Sequence, residues 1–358
     1  MRKSEVAGMK KINLSKTSRR NFLTYAVVIA AYAVLQSIAA GGGLSSSLRG
    51  MLVPICSYVV MAISLNLVVG ISGELSLGHA GFMSVGAFTG VTAAMALQGV
   101  VASGPLRLLI GMLVGAFFAA LAGVLIGIPV MRLKGDYLAI VTLAFGEIIK
   151  SIVTNLYVGV DSHGLHLSFL TNKLSLAEGG RLIINGPMGI TTIEKLSGFT
   201  AGFILVMVTL VIVFNLVNSR TGRAIMAIRD NRIAAESVGI NVTKYRLIAF
   251  AVSSAMAGAA GTLFAMNFST IIASKFDFNT SILVLVFVVF GGLGNIFGSI
   301  VAAAALTILP EALRGFATYR MLIYAIVLIL LMLVTNSERL RGLFSRVIPK
   351  GKEAEADG

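Results

Sequence analysis

Charge is the first scarcity in this chain of 358 residues. Asp, Glu, Lys and Arg make up 12% of it, against roughly 25% in soluble globular domains. That deficit excludes an ordinary cytosolic enzyme and a disordered chain. It also excludes a nucleic-acid-binding domain, which needs basic residues gathered on one soluble face. Cysteine is nearly absent. Cys56 stands alone, so no disulfide can form within the chain, and its place in an apolar run marks a small buried hydrophobe. Three histidines are too few and too scattered for a metal cluster. No phosphate-binding loop of the G-x-x-x-x-G-K-S/T type occurs, since Gly351-Lys352 is followed by Glu353 and lacks the upstream glycine. No nucleophile–base constellation and no carboxylate pair in a soluble cleft can be found. The chain is therefore not expected to be an enzyme or to hold a metal or cofactor, and nucleic acid is not an expected partner.

Hydrophobic residues are abundant, at 57%. They come in runs of about 20, the length that crosses a hydrocarbon core. The runs cover about 22–40, 48–70, 76–98, 106–130, 137–158, 198–217, 245–272, 280–308 and 319–336. A net charge of +14 then reads as cytoplasmic Lys and Arg of a membrane protein. Seven basic residues lie in the first 20, at Arg2, Lys3, Lys10, Lys11, Lys16, Arg19 and Arg20. A signal peptide is the rival reading of the apolar run at 22–40, but its apolar region would be shorter, about 7–15 residues. The run reads instead as an uncleaved anchor. Three further islands are basic: Arg132 with Lys134, residues 218–246, and the tail from Arg339 to Lys352. All three are expected beside the N-terminus in the cytoplasm. The count of intervening runs is even except between Arg246 and Arg339, where it is three. The run 280–308 is the longest, and Gly291-Gly292-Leu293-Gly294-Asn295 breaks it midway. It reads as a re-entrant helical hairpin, because glycine disfavours a helix interior and broken backbone survives at depth only inside protein or beside a watery cavity.

The expected fold is all-α, a polytopic membrane helix bundle of about eight transmembrane helices plus that hairpin. Residues 1–21 form a basic cytoplasmic segment and 22–336 the transmembrane domain. Within it, 159–197 is an extracytoplasmic loop and 218–244 a cytoplasmic one; 337–358 is a cytoplasmic tail. Glycine supplies 39 residues, and the pairs Gly86/Gly90, Gly111/Gly115 and Gly123/Gly127 predict close helix packing.

The island at 218–244 is the most informative segment. Ala224, Ile228, Ala235 and Val238 recur at helical spacing with Arg229, Arg232 and Glu236 between them, and Gly239 supplies a stop. A short amphipathic helix lies on lipid or fits a groove on a partner protein. Small residues with paired opposite charges fit the groove better. Glu147 and Lys150, spaced i,i+3, lie within an apolar run; they form a polar patch on a translocation path or a structural ion pair. His79, beside the break at Ser72-Gly73, reads as a polar plug in a bent helix, and Glu74 as a residue near the cytoplasmic interface.

The island resembles the coupling loop of permease subunits of binding-protein-dependent ABC importers. More narrowly, the chain resembles the branched-chain amino-acid permease family, in its longer permease type. Ser64-Leu65-Asn66-Leu67-Val68-Val69-Gly70 followed by Gly73-Glu74-Leu75-Ser76-Leu77-Gly78-His79-Ala80-Gly81-Phe82 is similar to the family's N-terminal signature. The run from Leu133-Lys134-Gly135-Asp136-Tyr137 to Phe145-Gly146-Glu147-Ile148 is similar to its most specific stretch, and Gly291 to Asn295 through Leu309-Pro310-Glu311 to its C-terminal signature. The sequence departs from the family at 161–184, which look like an insertion before Asn185-Gly186-Pro187-Met188-Gly189-Ile190.

The resemblance implies inward transport of branched-chain or related small amino acids across a bacterial inner membrane. It implies a homologous second permease, an extracytoplasmic binding protein and two cytoplasmic ATPase subunits, which bind the ATP. It also implies an ATPase-coupling role for Gly222, Arg223, Arg229, Asp230, Asn231, Ala235, Glu236 and Gly239. His79, Glu147, Gly291, Gly292, Gly294 and Asn295 become candidates for the translocation path or a hinge. Urea, a short amide or a sugar remains an alternative substrate, and an ion-coupled secondary transporter an alternative mechanism.

Overall fold

The computed structural model describes residues 16–43, 45–131, 133, 136–161, 164–169 and 180–313, with 322, 323, 325, 326 and 329. The first 15 residues, Arg132, Lys134, most of the run 319–336 and the C-terminal tail lie outside the described residues. The chain divides into two units, residues 1–45 and residues 46–358. The first contains α1 (Lys16–Ala40), whose apolar part, Asn21–Ala40, has the length and hydropathy of a membrane span.

The second unit is built on α2 (Ser46–Asn66), α3 (His79–Ala96), α4 (Gly104–Val130), α5 (Asp136–Thr154), α6 (Phe199–Asn218) and α9 (Val242–Ala265). Among the described residues, eight helical stretches in the whole chain are long and apolar enough to cross a membrane. A polytopic helical membrane bundle is thus what the apolar runs produce.

Glycine sets the closest packing. A Cβ built on Gly86 would lie 2.1 Å from the Gly258 carbonyl oxygen, and one on Gly261 2.0 Å from that of Met83. Gly90 meets Gly111 in the same way, and Gly115 meets Gly86. Backbone therefore touches backbone where α3, α4 and α9 meet. This is the contact that small residues provide where lipid gives no hydrophobic drive. Thr262 Oγ1 donates to the Gly86 carbonyl at 2.8 Å inside this seam.

Two segments depart from the sequence reading, the first and the last of the four that follow, and two add detail to it. The long segment expected as an extracytoplasmic loop carries a small antiparallel sheet of β1 (Leu156–Asp161), β2 (Gly164–Phe169) and β3 (Arg181–Asn185), ordered β2-β1-β3. The run 137–158 accordingly stops being helical at Thr154. Within the proposed insertion, residues 164–169 form β2 and 181–184 belong to β3, and residues 162–163 and 170–179 lie outside the described set.

Next, α2 is continued past Asn66 by a wider π-helical turn, Leu67–Ile71; non-helical backbone then runs to Gly78. Third, the run 280–308 forms the expected helical hairpin, two helices, α10 (Phe278–Gly291) and α11 (Ile296–Ala312). They are joined at Gly292–Asn295, where Gly292 (φ +90°) and Gly294 (φ +79°) take left-handed backbone that only glycine adopts freely. With its preceding turn, 273–291 reaches span length by itself, whereas α11 is shorter. Fourth, the cytoplasmic island is two helices rather than one, α7 (Arg220–Asp230) and α8 (Arg232–Ser237). Asn231 breaks it: its backbone is extended and its side chain accepts the Ala234 N–H at 3.0 Å, capping α8.

Candidate functional site

The helix break at Asn231 decides which residues of the island point inward. Ile225 and Ile228 of α7 and Ala235 of α8 are buried. Ile228 and Ala235 cluster with Val242 at the start of α9, with Ile240 and Tyr245 against them. Ala224 is only half-buried and Val238 is 75% exposed, so the single-helix face expected from spacing is corrected. Ile233 is 80% exposed. The result is a helical knob whose apolar underside is packed and whose tip displays two aliphatic side chains.

The remaining island residues hold the knob's shape. Ser219 caps α7 by accepting the Gly222 N–H at 3.2 Å. Gly222 itself is buried, and a Cβ there would lie 2.3 Å from the carbonyls of Leu216 and Val217. Arg223 donates to the Asn218 carbonyl at 3.1 Å. Arg232 pairs with Glu236 at 3.1 Å, and Gly239 stops α8 at φ +84°. Asp230 pairs with Arg229 at 2.8 Å.

Arg229 also ties the knob to the bundle, donating to the Gly70 carbonyl at 3.1 Å. Gly73 leaves room for its stem; a Cβ there would be 2.7 Å from Arg229 Cγ. Gly70 lies in the π turn, a distortion frequent at functional positions. One turn earlier, fully buried Asn66 accepts the Gly294 N–H through Oδ1 at 2.8 Å and donates to Ser299 Oγ at 2.8 Å. The α10–α11 junction, the π turn and the knob thus form one continuous contact. Gly291 closes the junction from within, its virtual Cβ 2.3 Å from the Ser299 nitrogen. Asn295 caps α11 by accepting the Gly298 N–H at 3.3 Å.

A buried ion pair braces the same end. Glu74 pairs with Arg246 of α9, which is only 5% exposed. Burial pushes the Glu74 carboxyl above the usual carboxylate range, while Arg246 and, more weakly, Arg232 pull it back. Removing one partner leaves the other charge buried alone. Glu74→Gln is expected to cost about 3–5 kcal/mol of stability, and pairing it with Arg246→Met to recover most of that loss. Thermal melting of the detergent-solubilised protein reads both; a single variant that melts like the parent refutes the brace.

His79 is the first residue of α3, fully enclosed, with Nε2 2.7 Å from Ser64 Oγ. It sits just past the helix break, with Phe82 edge-on to its ring. Glu147 and Lys150 pair at 2.8 Å and remain partly exposed; Glu147 lines a narrow cleft among α3, α5 and α10, away from the knob.

Sequence reasoning missed Asn66 and the Glu74–Arg246 pair, whose partners lie far away in the chain. It also missed Arg107, buried in α4, which grips Glu194 with two bonds of 2.9 and 3.1 Å. A lone arginine in an apolar run was the available signal for that one.

Closely packed apolar helices around buried polar ties, with a charged knob at one end, define a multi-pass membrane protein of the transporter type. Comparison with known proteins narrows the class. The family described as branched-chain amino acid transport system, permease component, matches residues 47–335, and the chain belongs to it. It is 34% identical over 296 residues to the high-affinity branched-chain amino acid transport system permease protein LivM of Salmonella typhimurium, covering 77% of this chain and 66% of that protein. It is 35% identical over 286 residues to the LivM protein of Escherichia coli, with the same coverages. It is 26% identical over 289 residues to the ribose import permease protein RbsC of Escherichia coli, covering 78% and 82%. The chain thus spans 66% of the length of the two LivM relatives. No solved structure matches.

Proposed function

We propose that this chain is the permease subunit of an ATP-driven, binding-protein-dependent importer that carries branched-chain or related small amino acids across a bacterial inner membrane. A second, homologous permease would complete the path. Two ATPase subunits would supply the drive from the cytoplasm, and an extracytoplasmic binding protein would deliver the solute. Both chain termini would lie in the cytoplasm.

One observation carries the mechanism: the α7–α8 knob is braced by Arg229 and Glu236 ion pairs yet exposes Ile233 and Val238 at its tip. An aliphatic tip inside a charged rim suits a groove on a partner protein better than lipid. Closure of the ATPases on ATP would push the knob, and the push would reach the α10–α11 junction through Gly70 and Asn66. A bias between inward- and outward-open states requires that the ATPases touch the knob differently in the two. The relatives named for branched-chain amino acids are 34–35% identical and the ribose permease 26%, which favours the amino-acid substrate.

The test is uptake of labelled leucine by vesicles containing the complete complex. Glu236→Ala is expected to weaken ATPase attachment and lower uptake. Full uptake with the ATPase subunits stripped away refutes the coupling role.

A further inference from the structure

We propose that the pocket between the end of α3 and the β1–β3 sheet is the socket in which this permease receives an acidic loop of its extracytoplasmic binding protein. This rests on the transport function proposed above and adds the docking site and its chemistry.

Helix α3 is 18 residues long, about 27 Å at 1.5 Å per residue. It starts after the break that leads to the knob and ends in the turn Leu97–Gly99. Between that turn and the strands β1 and β3 lies a pocket of about 870 Å³, near the top of the range of about 300–1,000 Å³ for binding pockets. It has room for roughly 29 waters at about 30 Å³ each, which suits several side chains of a protein loop better than one small solute. With ATPases gripping the knob from the cytoplasm, the pocket opens on the opposite face, where the solute is delivered.

The walls are fixed by ties outside the pocket. Arg107 of α4 grips Glu194, and Gln98 donates to the same carboxylate at 3.4 Å. Ile190 and Ile271 exchange backbone hydrogen bonds at 3.0 Å, and the Ile193 N–H donates to the Ser269 carbonyl at 2.9 Å. Thr192 lies between these two ties, exposed at the pocket, with φ +61°. A β-branched residue avoids this left-handed conformation. Such strain persists only where the surroundings enforce it, and it gathers at binding positions.

Charge names the occupant. Arg181 of β3 lines the pocket and is exposed. Among the described residues its guanidinium reaches Gln98 Oε1 at 3.5 Å, the long limit of a hydrogen bond. The nearby carboxylates are committed elsewhere: Glu194 to Arg107, and Asp161, its side chain 2% exposed, to a position 3.0 Å from His166 Nε2. Arg181 thus brings unspent donors, which a carboxylate takes two at a time. Met95 and Leu182 set apolar surface beside it, and Met and Arg are enriched where proteins meet. Arg181 and Leu182 belong to 161–184, the stretch that departs from the family pattern, so the socket is fitted to this permease's own binding protein.

The experiment measures the Kd of the transporter's own solute-loaded, fluorescently labelled binding protein for the complete complex in nanodiscs of phosphatidylethanolamine and phosphatidylglycerol. Arg181→Glu is expected to raise the Kd about tenfold or more. In the parent the Kd should rise with added salt, and in Arg181→Glu it should not. A Cβ at Gly99 meets nothing within 4 Å, so Gly99→Trp places its ring in open pocket and is expected to weaken binding as much, with both variants melting like the parent. A parental Kd in Arg181→Glu overturns the acidic occupant, and one in Gly99→Trp overturns the pocket. So does an Arg181→Glu effect that vanishes without phosphatidylglycerol, the mark of a lipid headgroup. A parent that binds its partner yet takes up no leucine overturns only the solute proposed above; one that fails to bind overturns the partner and this socket together.

Discussion

Serine at both Ile233 and Val238 is expected to lower ATP-driven uptake about 100-fold while leaving the melting temperature of the isolated permease unchanged. The two side chains are 80% and 75% exposed, so truncating them costs the fold almost no packing. An aliphatic anchor at the centre of a protein interface is commonly worth about 2 kcal/mol or more. Two lost together correspond to at least about 4 kcal/mol, or roughly 10³ in affinity, which subunit excess partly offsets. Co-purification of the ATPase subunits with the solubilised permease and uptake in vesicles should fall together. If the double variant retains its ATPase partners and transports at the parent rate, the knob is not the attachment point.

The second large effect is expected from one methyl group. A Cβ at Gly70 would sit 1.9 Å from Asn66 Oδ1 and 2.1 Å from the Gly294 nitrogen. One obstacle is backbone, and the other is a buried side chain already committed to two hydrogen bonds. Gly70→Ala must therefore displace the α10–α11 junction or expel the Asn66 amide. Overpacking costs about 1–3 kcal/mol, and each buried polar group left without a partner about 1–3 more. A stability loss of about 3–5 kcal/mol is expected, with uptake abolished. Adding Asn66→Ala should not rescue it, because the Gly294 backbone remains in the way. Thermal melting together with proteolytic sensitivity at residues 292–295 checks this; a Gly70→Ala protein that melts and transports like the parent refutes the junction's role.

Much of this architecture is written locally. Long apolar runs mark the helices, and the pairs Gly86/Gly90 and Gly111/Gly115 mark the seam because small residues at that spacing let backbones approach. The junction at Gly291–Asn295 was visible for the same reason, since three glycines within four residues cannot continue a helix. The sheet at 156–185 was not. Its strands are short and mix Asp161 and His166 with Leu165 and Leu167, giving no run longer than a turn. The break at Asn231 was hidden because apolar spacing continues across it; only the capping side chain reverses the direction of Val238. The Arg229–Gly70 tie was the least legible part of the candidate site. Its acceptor is a carbonyl that any residue carries, placed by a π turn that has no sequence signature. Glu147 could be singled out as a charge in an apolar run, but Asp277 reads as an ordinary helix cap until folding brings it to α5.

The glycine seam has a further consequence. Where main chains rest against one another there is no cushion of side chains to compress or rotate, so α3, α4 and α9 cannot gape without losing contact along their length. They make a keel. Whatever swings as the carrier alternates must be hung from that keel; α5 is fastened to it by its own main-chain contact, Gly146 against Gly81, which leaves α10 and α11 to move. Cysteine cross-links placed across the seam should be tolerated through the whole transport cycle, while links from α10 to α5 should stall it.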